Sequence, residues 1–199
     1  LGFNDDGYDL PPLHEKDVII PVSLKSEEKG RLLRKVEMSA TNFYKEKKLI
    51  TEERIKKIAE IANSTDEQYL IWCDTNEESS LLHKAIEGSV EVKGSDKPEH
   101  KEKSSLDFKS GKIRVLISKV SIFGFGLNFQ NCTKCIFCGL NYSYEKYYQA
   151  VRRLYRFGQT KEVTVYRVLG STESHILNIL TDKYRKQEDM QEHMNKCTN

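Results

Sequence analysis

The chain has 199 residues, of which 38% are hydrophobic and 31% are charged, a composition that suits one globular domain with short appendages. Its 32 basic and 30 acidic side chains leave a net charge of +2, so any nucleic-acid contact has to come from local patches. No apolar run approaches the ~18 residues of a membrane span. The five cysteines are an odd number, and we expect a soluble, cytoplasmic protein with reduced thiols.

Residues 1–65 differ from the rest of the chain. Their start is rich in Pro, Asp and Gly, and the patterns that follow predict a strand at 18–22 and helices at 27–36 and 51–62. We interpret this region as a lead-in to the main domain rather than as a second domain. Because the chain begins with Leu1 and not with a methionine, we expect it to be part of a longer protein.

From about Tyr69 onward, short apolar runs alternate with amphipathic stretches, which is typical of βα units in a parallel sheet. The predicted strands are 69–73, 90–93, 113–118, 134–139 and 163–168. Successive apolar residues, as in Val115-Leu116-Ile117, predict strands that helices cover on both faces. We therefore expect an α/β fold with one doubly wound domain over 66–170, a central, mostly parallel sheet, and a C-terminal helix and tail over 171–199.

Residues with strong capping preferences mark where the helices begin. Thr75 or Asn76 can cap one helix, and Asp96 with Pro98 can start another. A third helix is predicted over 143–157, and its sequence is the most informative segment of the chain.

Two arginines on this last predicted helix carry the first chemical signal. Arg153 and Arg156 are three residues apart, so on a helix they would share one face, about a turn from each other, and could reach neighbouring phosphate oxygens. An arginine offered from outside a phosphate-binding lobe can stabilise charge that develops on a transferred phosphoryl group. The alternative is a solvated basic helix face.

A second signal follows the third predicted strand. The stretch 118–129 contains two glycines two apart, Gly124 and Gly126, which would let the backbone approach a ligand closely. Taken alone, this G-x-G pattern is weak evidence of a ligand site, because it is more often a tight turn. The loops at 71–76 and 92–95 follow the first two of these predicted strands, at the carboxyl ends where doubly wound sheets bind ligands.

These segments resemble, in chain order, the motifs of the C-terminal RecA-like lobe of Swi/Snf-type superfamily 2 helicases. The sequence Q-x-x-x-R-x-x-R-x-G-Q, which runs from Gln149 to Gln159, resembles motif VI. The stretch 118–129 resembles motif V, 71–76 resembles motif IV, and 92–95 resembles the glycine–serine loop after it. The resemblance covers roughly 68–169 and implies a RecA-like, P-loop NTPase-like fold. The variants of motifs V and VI look most like those of bacterial or phage-encoded helicases of phage or prophage type.

The resemblance implies a role for each matching residue. Arg156 would be the arginine finger and Arg153 its partner, both facing ATP bound on the opposite lobe. Arg152 stands where the family usually has a glycine. The residues implied on the nucleotide side are Gln149, Gly124, Gly126 and Asn128. The residues implied to contact the DNA backbone are Ser118, Lys119, Asn76, Gly94 and Ser95.

The implied function is the second lobe of an ATP-dependent DNA helicase or translocase. Its partners would be the N-terminal RecA-like lobe of the same protein and duplex DNA, gripped through its phosphates with little sequence preference. ATP and Mg²⁺ would be held mainly by the first lobe, because this sequence has no G-x-x-x-x-G-K-[ST] loop and no acidic box after a strand. The chain alone is therefore expected not to hydrolyse ATP.

Other interpretations stay open at this point. A non-catalytic nucleic-acid or protein-binding module could keep the RecA-like shape, although it would have no need for the Gln149, Arg153 and Arg156 set. A glycosyltransferase-like or other doubly wound domain is a third possibility, since fold does not fix function. It explains none of the ordered motifs.

The spacing C-x-x-C-x-x-C of Cys132, Cys135 and Cys138 suggests a zinc or iron–sulfur site. On a strand, however, Cys135 and Cys138 are an odd number of residues apart and point to opposite faces, so they cannot converge on one metal. We expect buried structural cysteines, which behave as small core hydrophobes.

Overall fold

The computed structural model describes residues 10–21, 40–123, 127–140 and 144–173, without the side chains of 40–49, Tyr144 and Thr172. The predicted helix at 27–36, the glycines Gly124 and Gly126, and the C-terminal segment beyond Glu173 lie outside the described residues.

In the part of the chain that the structure describes, six strands form the sheet: β1 (Leu13–Ile20), β2 (Tyr69–Trp72), β3 (Ser89–Val92), β4 (Val115–Ser118), β5 (Lys134–Cys138) and β6 (Val163–Gly170). All are parallel, in the order β1-β6-β5-β2-β4-β3. The interior strands β2 and β4 are buried along their whole length, as their unbroken apolar runs predict. The expected α/β fold with a parallel sheet is confirmed, and the five strands predicted after residue 65 are all present.

Within the described residues, four helices cover the sheet: α1 (Ala40–Asn63), α2 (Asn76–Ala85), α3 (Pro98–Lys109) and α4 (Tyr144–Val151). Helices α1 and α2 pack on one face, with Ile58 and Leu82 in the same core cluster. Helices α3 and α4 contribute Phe108 and Ala150 to the cluster on the other face. The sheet is therefore the middle layer of three.

The cysteines of β5 lie on opposite faces, as the strand geometry predicts. Cys135 belongs to the cluster beneath α3 and α4, and Cys138 belongs to the cluster beneath α1 and α2. Cys132 is also buried, and its thiol donates to the carbonyl oxygens of Gln68 (3.2 Å) and Lys134 (3.1 Å). Among the described residues, no group of three or more His, Cys, Asp or Glu side chains is arranged to hold a metal ion.

The lead-in contributes two elements to this fold. β1 begins five residues before the predicted strand at 18–22, because its charged first half pairs with the edge of β6. There the Arg167 guanidinium donates to both carboxylate oxygens of Asp17 (2.5 and 3.1 Å) and forms an ion pair with Glu15 (3.0 Å). The division of the chain into lead-in, lobe and tail stays a prediction.

The prediction of a helix over 143–157 is wrong for its C-terminal half. α4 ends at Val151, and 152–158 form turns. In a continuous helix, the Arg153 carbonyl would accept from the N–H four residues later in the chain. Here it accepts instead from the Phe129 N–H (2.8 Å). The two arginines therefore do not share a helix face.

The start of α3 also differs from the prediction. Lys97 is its N-cap, and the Asp96 carboxylate instead accepts from the Lys93 N–H (2.7 Å).

None of the helices in the described ranges combines the length and apolar character that crossing a membrane requires.

Candidate functional site

The predicted nucleic-acid residues sit where strands β2, β3 and β4 end. Because the strands are parallel, these loops share one edge of the sheet. Asn76 is exposed at the first position of α2, and Gly94 and Ser95 are exposed in the loop after β3. The Gly94 carbonyl accepts from the Lys101 ammonium (2.7 Å), and a Cβ at Gly94 would meet only an Ile122 carbon at 4.0 Å. This loop leaves open space in front of its backbone.

The loop after β2 is fixed by Glu78. Thr75 and Glu78 form a capping box at the start of α2. The Glu78 carboxylate also accepts from the Asp74 N–H (3.1 Å) and the Thr75 N–H (2.9 Å), and its other oxygen lies 3.7 Å from a guanidinium nitrogen of Arg54. Asn76 is thereby held at a rigid helix start.

Arg54 of α1 is buried under the carboxyl edge of the sheet. It is only 4% exposed, and its guanidinium lies 2.5 Å from the Glu173 carboxylate as well as near Glu78. A Cβ at Gly139, just after β5, would come within 3.0 Å of that guanidinium. Arg54 therefore joins α1, α2 and the short 3-10 helix after β6 (Ser171–Glu173) around one charge.

Ser118 and Lys119, predicted to contact phosphates, differ in accessibility. Ser118 is fully buried: its hydroxyl donates to the Val92 carbonyl (2.9 Å), and its carbonyl accepts from the Cys73 N–H (3.1 Å). Lys119, the next residue, is partly exposed, and its carbonyl accepts from the Ile122 N–H (3.0 Å). Ser118 therefore connects the ends of three neighbouring strands by hydrogen bonds. Of these two residues, Lys119 is the one accessible to a ligand.

Arg153 is a buried arginine. It is 7% exposed, and its guanidinium carbon lies 5.9 Å from the ring centroid of Trp72 at the end of β2. Burial lowers the pKa of Arg153 from its ordinary value. Its contact with Trp72 brings the segment after α4 to the carboxyl end of the central strand.

Arg156 is exposed, in a turn whose backbone is tightly held. Its carbonyl accepts from the Gln159 N–H (2.9 Å). Gly158 has φ of +86°, a conformation that favours glycine. Phe157 is 61% exposed beside it. The predicted pair thus consists of one buried and one accessible guanidinium.

Two glutamines fix this turn. Buried Gln159 uses its whole amide: it donates to the carbonyls of Gln130 and Leu154 (3.1 Å each), and its oxygen accepts from the N–H groups of Thr160 (3.0 Å) and Lys161 (3.1 Å). Gln130 donates to the carbonyls of Arg156 (3.2 Å) and Phe157 (2.7 Å). Sequence reasoning missed Gln130 altogether, because neither spacing nor periodicity distinguishes a glutamine that bonds to a distant backbone.

Asn128 and Gln149 take different places around this turn. The Asn128 amide oxygen accepts from the Gln130 N–H (3.0 Å), and its nitrogen donates to the Gln130 side chain (2.7 Å). The Gln149 amide donates to the Glu145 carboxylate one helical turn earlier (3.0 Å). The structure thus joins Asn128 to the arginine turn directly, whereas Gln149 lies on α4 before it.

The helicase conserved C-terminal domain family matches residues 50–158, more than half of the chain. Bifunctional helicase and thymine dioxygenase JBP2 of Leishmania tarentolae and that of Leishmania braziliensis are each 27% identical over 111 residues, which are 53% of this chain and 10% of theirs. The chain therefore spans about a tenth of the length of these curated relatives.

Solved structures share the fold at lower identity. The C-terminal part of the Fun30 ATPase domain is 21% identical with a TM-score of 0.56, over 65% of this chain and 44% of that one. A DEAD box protein from Methanococcus jannaschii has the same identity, 21%, and TM-score, 0.56, over 67% and 37%. The C-terminal domain of the DEAD-box protein Dbp5 has 17% identity and a TM-score of 0.58, over 67% and 79%.

Proposed function

We propose that this chain, which belongs to the helicase conserved C-terminal domain family, is the second lobe of a Swi/Snf-type superfamily 2 DNA translocase. The observation that carries the proposal is the Arg156 turn: an exposed guanidinium on a backbone whose carbonyls two glutamine side chains hold in place. A cation that projects to an open surface from a held backbone suits a lobe that acts on a ligand bound by another lobe. The phage or prophage subgroup stays a prediction from the motif variants.

In this proposal Arg156 stabilises the charge that develops on the γ-phosphate during ATP hydrolysis. ATP and Mg²⁺ are assigned to the first lobe, since the Walker A loop that would hold them is absent from this sequence. Gln149 is proposed to lie on the nucleotide side, as are the two glycines Gly124 and Gly126, which are outside the described residues. Asn128 supports the turn that carries Arg156.

Arg153 takes a different role from the one its spacing predicts. Its guanidinium is buried over Trp72 and its carbonyl accepts from Phe129, so we assign it to holding the turn against the sheet. A direct contact with ATP, as the family resemblance implies, would require this side chain to leave Trp72.

DNA is proposed to lie across the carboxyl edge of the sheet. Lys119, Asn76, Gly94 and Ser95 are accessible there and can contact phosphate oxygens. Ser118 is proposed to position Lys119 rather than to touch DNA, because its hydroxyl is buried on Val92. The name of the curated relatives, which includes a thymine dioxygenase, favours DNA over RNA, since thymine is a DNA base.

The test is DNA-stimulated ATP turnover by the full-length protein, wild type against Arg156→Ala. We expect turnover to fall by about 10³, as loss of an arginine finger can cause, while ATP and DNA still bind. Arg152→Ala is the matched control, because Arg152 is an exposed arginine in the same segment whose guanidinium stacks 4.9 Å from the Tyr148 ring centroid.

Turnover that is unchanged in Arg156→Ala, or that falls equally in Arg152→Ala, would contradict the arginine-finger assignment. If DNA binding also persisted, the non-catalytic binding module would become the better interpretation.

A further inference from the structure

Gln130 lies between the loop that contains Asn128 and the turn that carries Arg156, and both the oxygen and the nitrogen of its side-chain amide form hydrogen bonds. The amide oxygen accepts from Asn128 (2.7 Å), and the amide nitrogen donates to the carbonyls of Arg156 (3.2 Å) and Phe157 (2.7 Å). A glutamine amide has two donor hydrogens, and both are satisfied here. The opposite amide orientation would set the oxygen against two carbonyls, so only one orientation fits.

Backbone contacts reinforce this connection on both sides of Gln130. The Phe129 N–H donates to the Arg153 carbonyl (2.8 Å), and the Gln130 carbonyl accepts from the Gln159 side chain (3.1 Å). At Gly158, a Cβ would lie 3.4 Å from the Gln130 amide nitrogen. The segment 128–130 and the turn 153–159 are therefore bonded at several points and should shift together.

We infer that Gln130 is a positioning residue for Arg156, which sets where the arginine meets ATP and couples it to the Asn128 loop. The inference rests on the proposed function, because it matters for turnover only if Arg156 acts on the nucleotide. Gln130 itself touches backbone carbonyls in the described part of the chain, so it acts through the turn.

The experiment compares Gln130→Met with Gln68→Met in the full-length protein. Gln68 is a matched control, because its amide nitrogen likewise donates to two backbone carbonyls, those of Phe108 (2.8 Å) and Ile113 (2.7 Å), near the starts of β2 and β4. Both variants should lose similar stability in thermal unfolding. We expect only Gln130→Met to lower kcat, by about tenfold or more, with KM for ATP unchanged, because misplacing a catalytic group by 1 Å can cost up to ~10² in rate.

A double-variant cycle separates positioning from general damage. If Gln130 acts through Arg156, adding Gln130→Met to Arg156→Ala should lower kcat no further. Gln130→Glu is a second variant that keeps the size and the acceptor for Asn128 but cannot donate to the carbonyls when ionised. It should behave as Gln130→Met does.

Three results would overturn the inference: a kcat for Gln130→Met equal to that of Gln68→Met, losses that multiply in the double variant, or variants at Gln130 that fail to fold while Gln68→Met folds. A different result marks failure of the proposed function, namely Arg156→Ala itself leaving turnover unchanged.

Discussion

At the scale of single residues, Arg54 shows how a buried charge depends on its partners. Its guanidinium is enclosed by the carboxylates of Glu78 and Glu173, while Gly139 makes room for it. A buried ion pair of this kind adds little net stability over an apolar replacement, but removing one partner leaves uncompensated charge. Glu78 and Glu173 would then face each other's charge without a cation.

Arg54→Ala should therefore lower the free energy of unfolding by about 3 kcal/mol, at the lower end of the effect of breaking a buried pair, since Glu173 is partly exposed. Urea unfolding of this chain measures it. Lys57→Ala is the control on the same helix, because Lys57 forms an exposed pair with Glu60 (3.0 Å) worth no more than about 0.5 kcal/mol. Equal losses in the two variants would mean that Arg54 is solvated in solution.

At the scale of elements, the strands were predictable and the end of α4 was not. Several strands carry their own signal, because an apolar run such as Val115-Leu116-Ile117 favours a strand covered on both faces. The end of α4 depends on Phe129 and Gln130, which are distant from it in sequence. The Phe129 N–H donates to the Arg153 carbonyl, and the Gln130 side chain donates to the Arg156 carbonyl. Local sequence patterns do not predict such long-range contacts.

The same reasoning explains which parts of the candidate site could be predicted. The motif order located the carboxyl-edge loops and the arginine segment, since these depend on residues close together in sequence. The burial of Arg153 over Trp72 depends on where the segment after α4 lies against the end of β2, and the charged start of β1 depends on Arg167 across the sheet. Both features depend on tertiary contacts, which composition and residue spacing do not predict.

The turn after α4 should be sensitive to backbone change at Gly158. Its φ of +86° is unfavourable for residues with a Cβ, so Gly158→Ala should lower the free energy of unfolding by about 1 kcal/mol or more. Gly94→Ala is the control, since Gly94 has no such backbone angle and its Cβ would make only an ordinary contact with an Ile122 carbon at 4.0 Å. Chemical denaturation of both variants checks this. A Gly158→Ala protein as stable as Gly94→Ala would show that the turn has a second, relaxed conformation.

At the scale of the whole molecule, the core clusters on the two faces of the sheet depend on each other for stability, because the same strands line both. One core cluster contains Cys135 and Cys132, the other contains Cys138 and Cys73, and β5 contributes to both. Neither cluster can be opened far without disturbing strands that also line the other. Small domains built this way generally unfold in one cooperative transition.

Thiol labelling tests that cooperativity, because a thiol reacts as its thiolate and needs access. Burial raises the pKa of Cys73 and of Cys132 to about 12, and raises the pKa of Cys135 and Cys138 well above the ordinary value. At pH 8 all four should therefore resist iodoacetamide in the folded protein. Because burial raises the folded-state pKa values, the fold keeps its full stability below the pH at which unfolded thiols ionise and loses stability as the pH rises above it, where only the unfolded state can release the protons. At pH 8 the reaction should therefore follow exposure on unfolding, and Cys135 and Cys138 should label at one common rate that rises with urea. Mass spectrometry of tryptic peptides, with Cys197 replaced by serine, measures each rate. Labelling of one β5 cysteine well before the other would mean that one layer of helices detaches from an intact sheet.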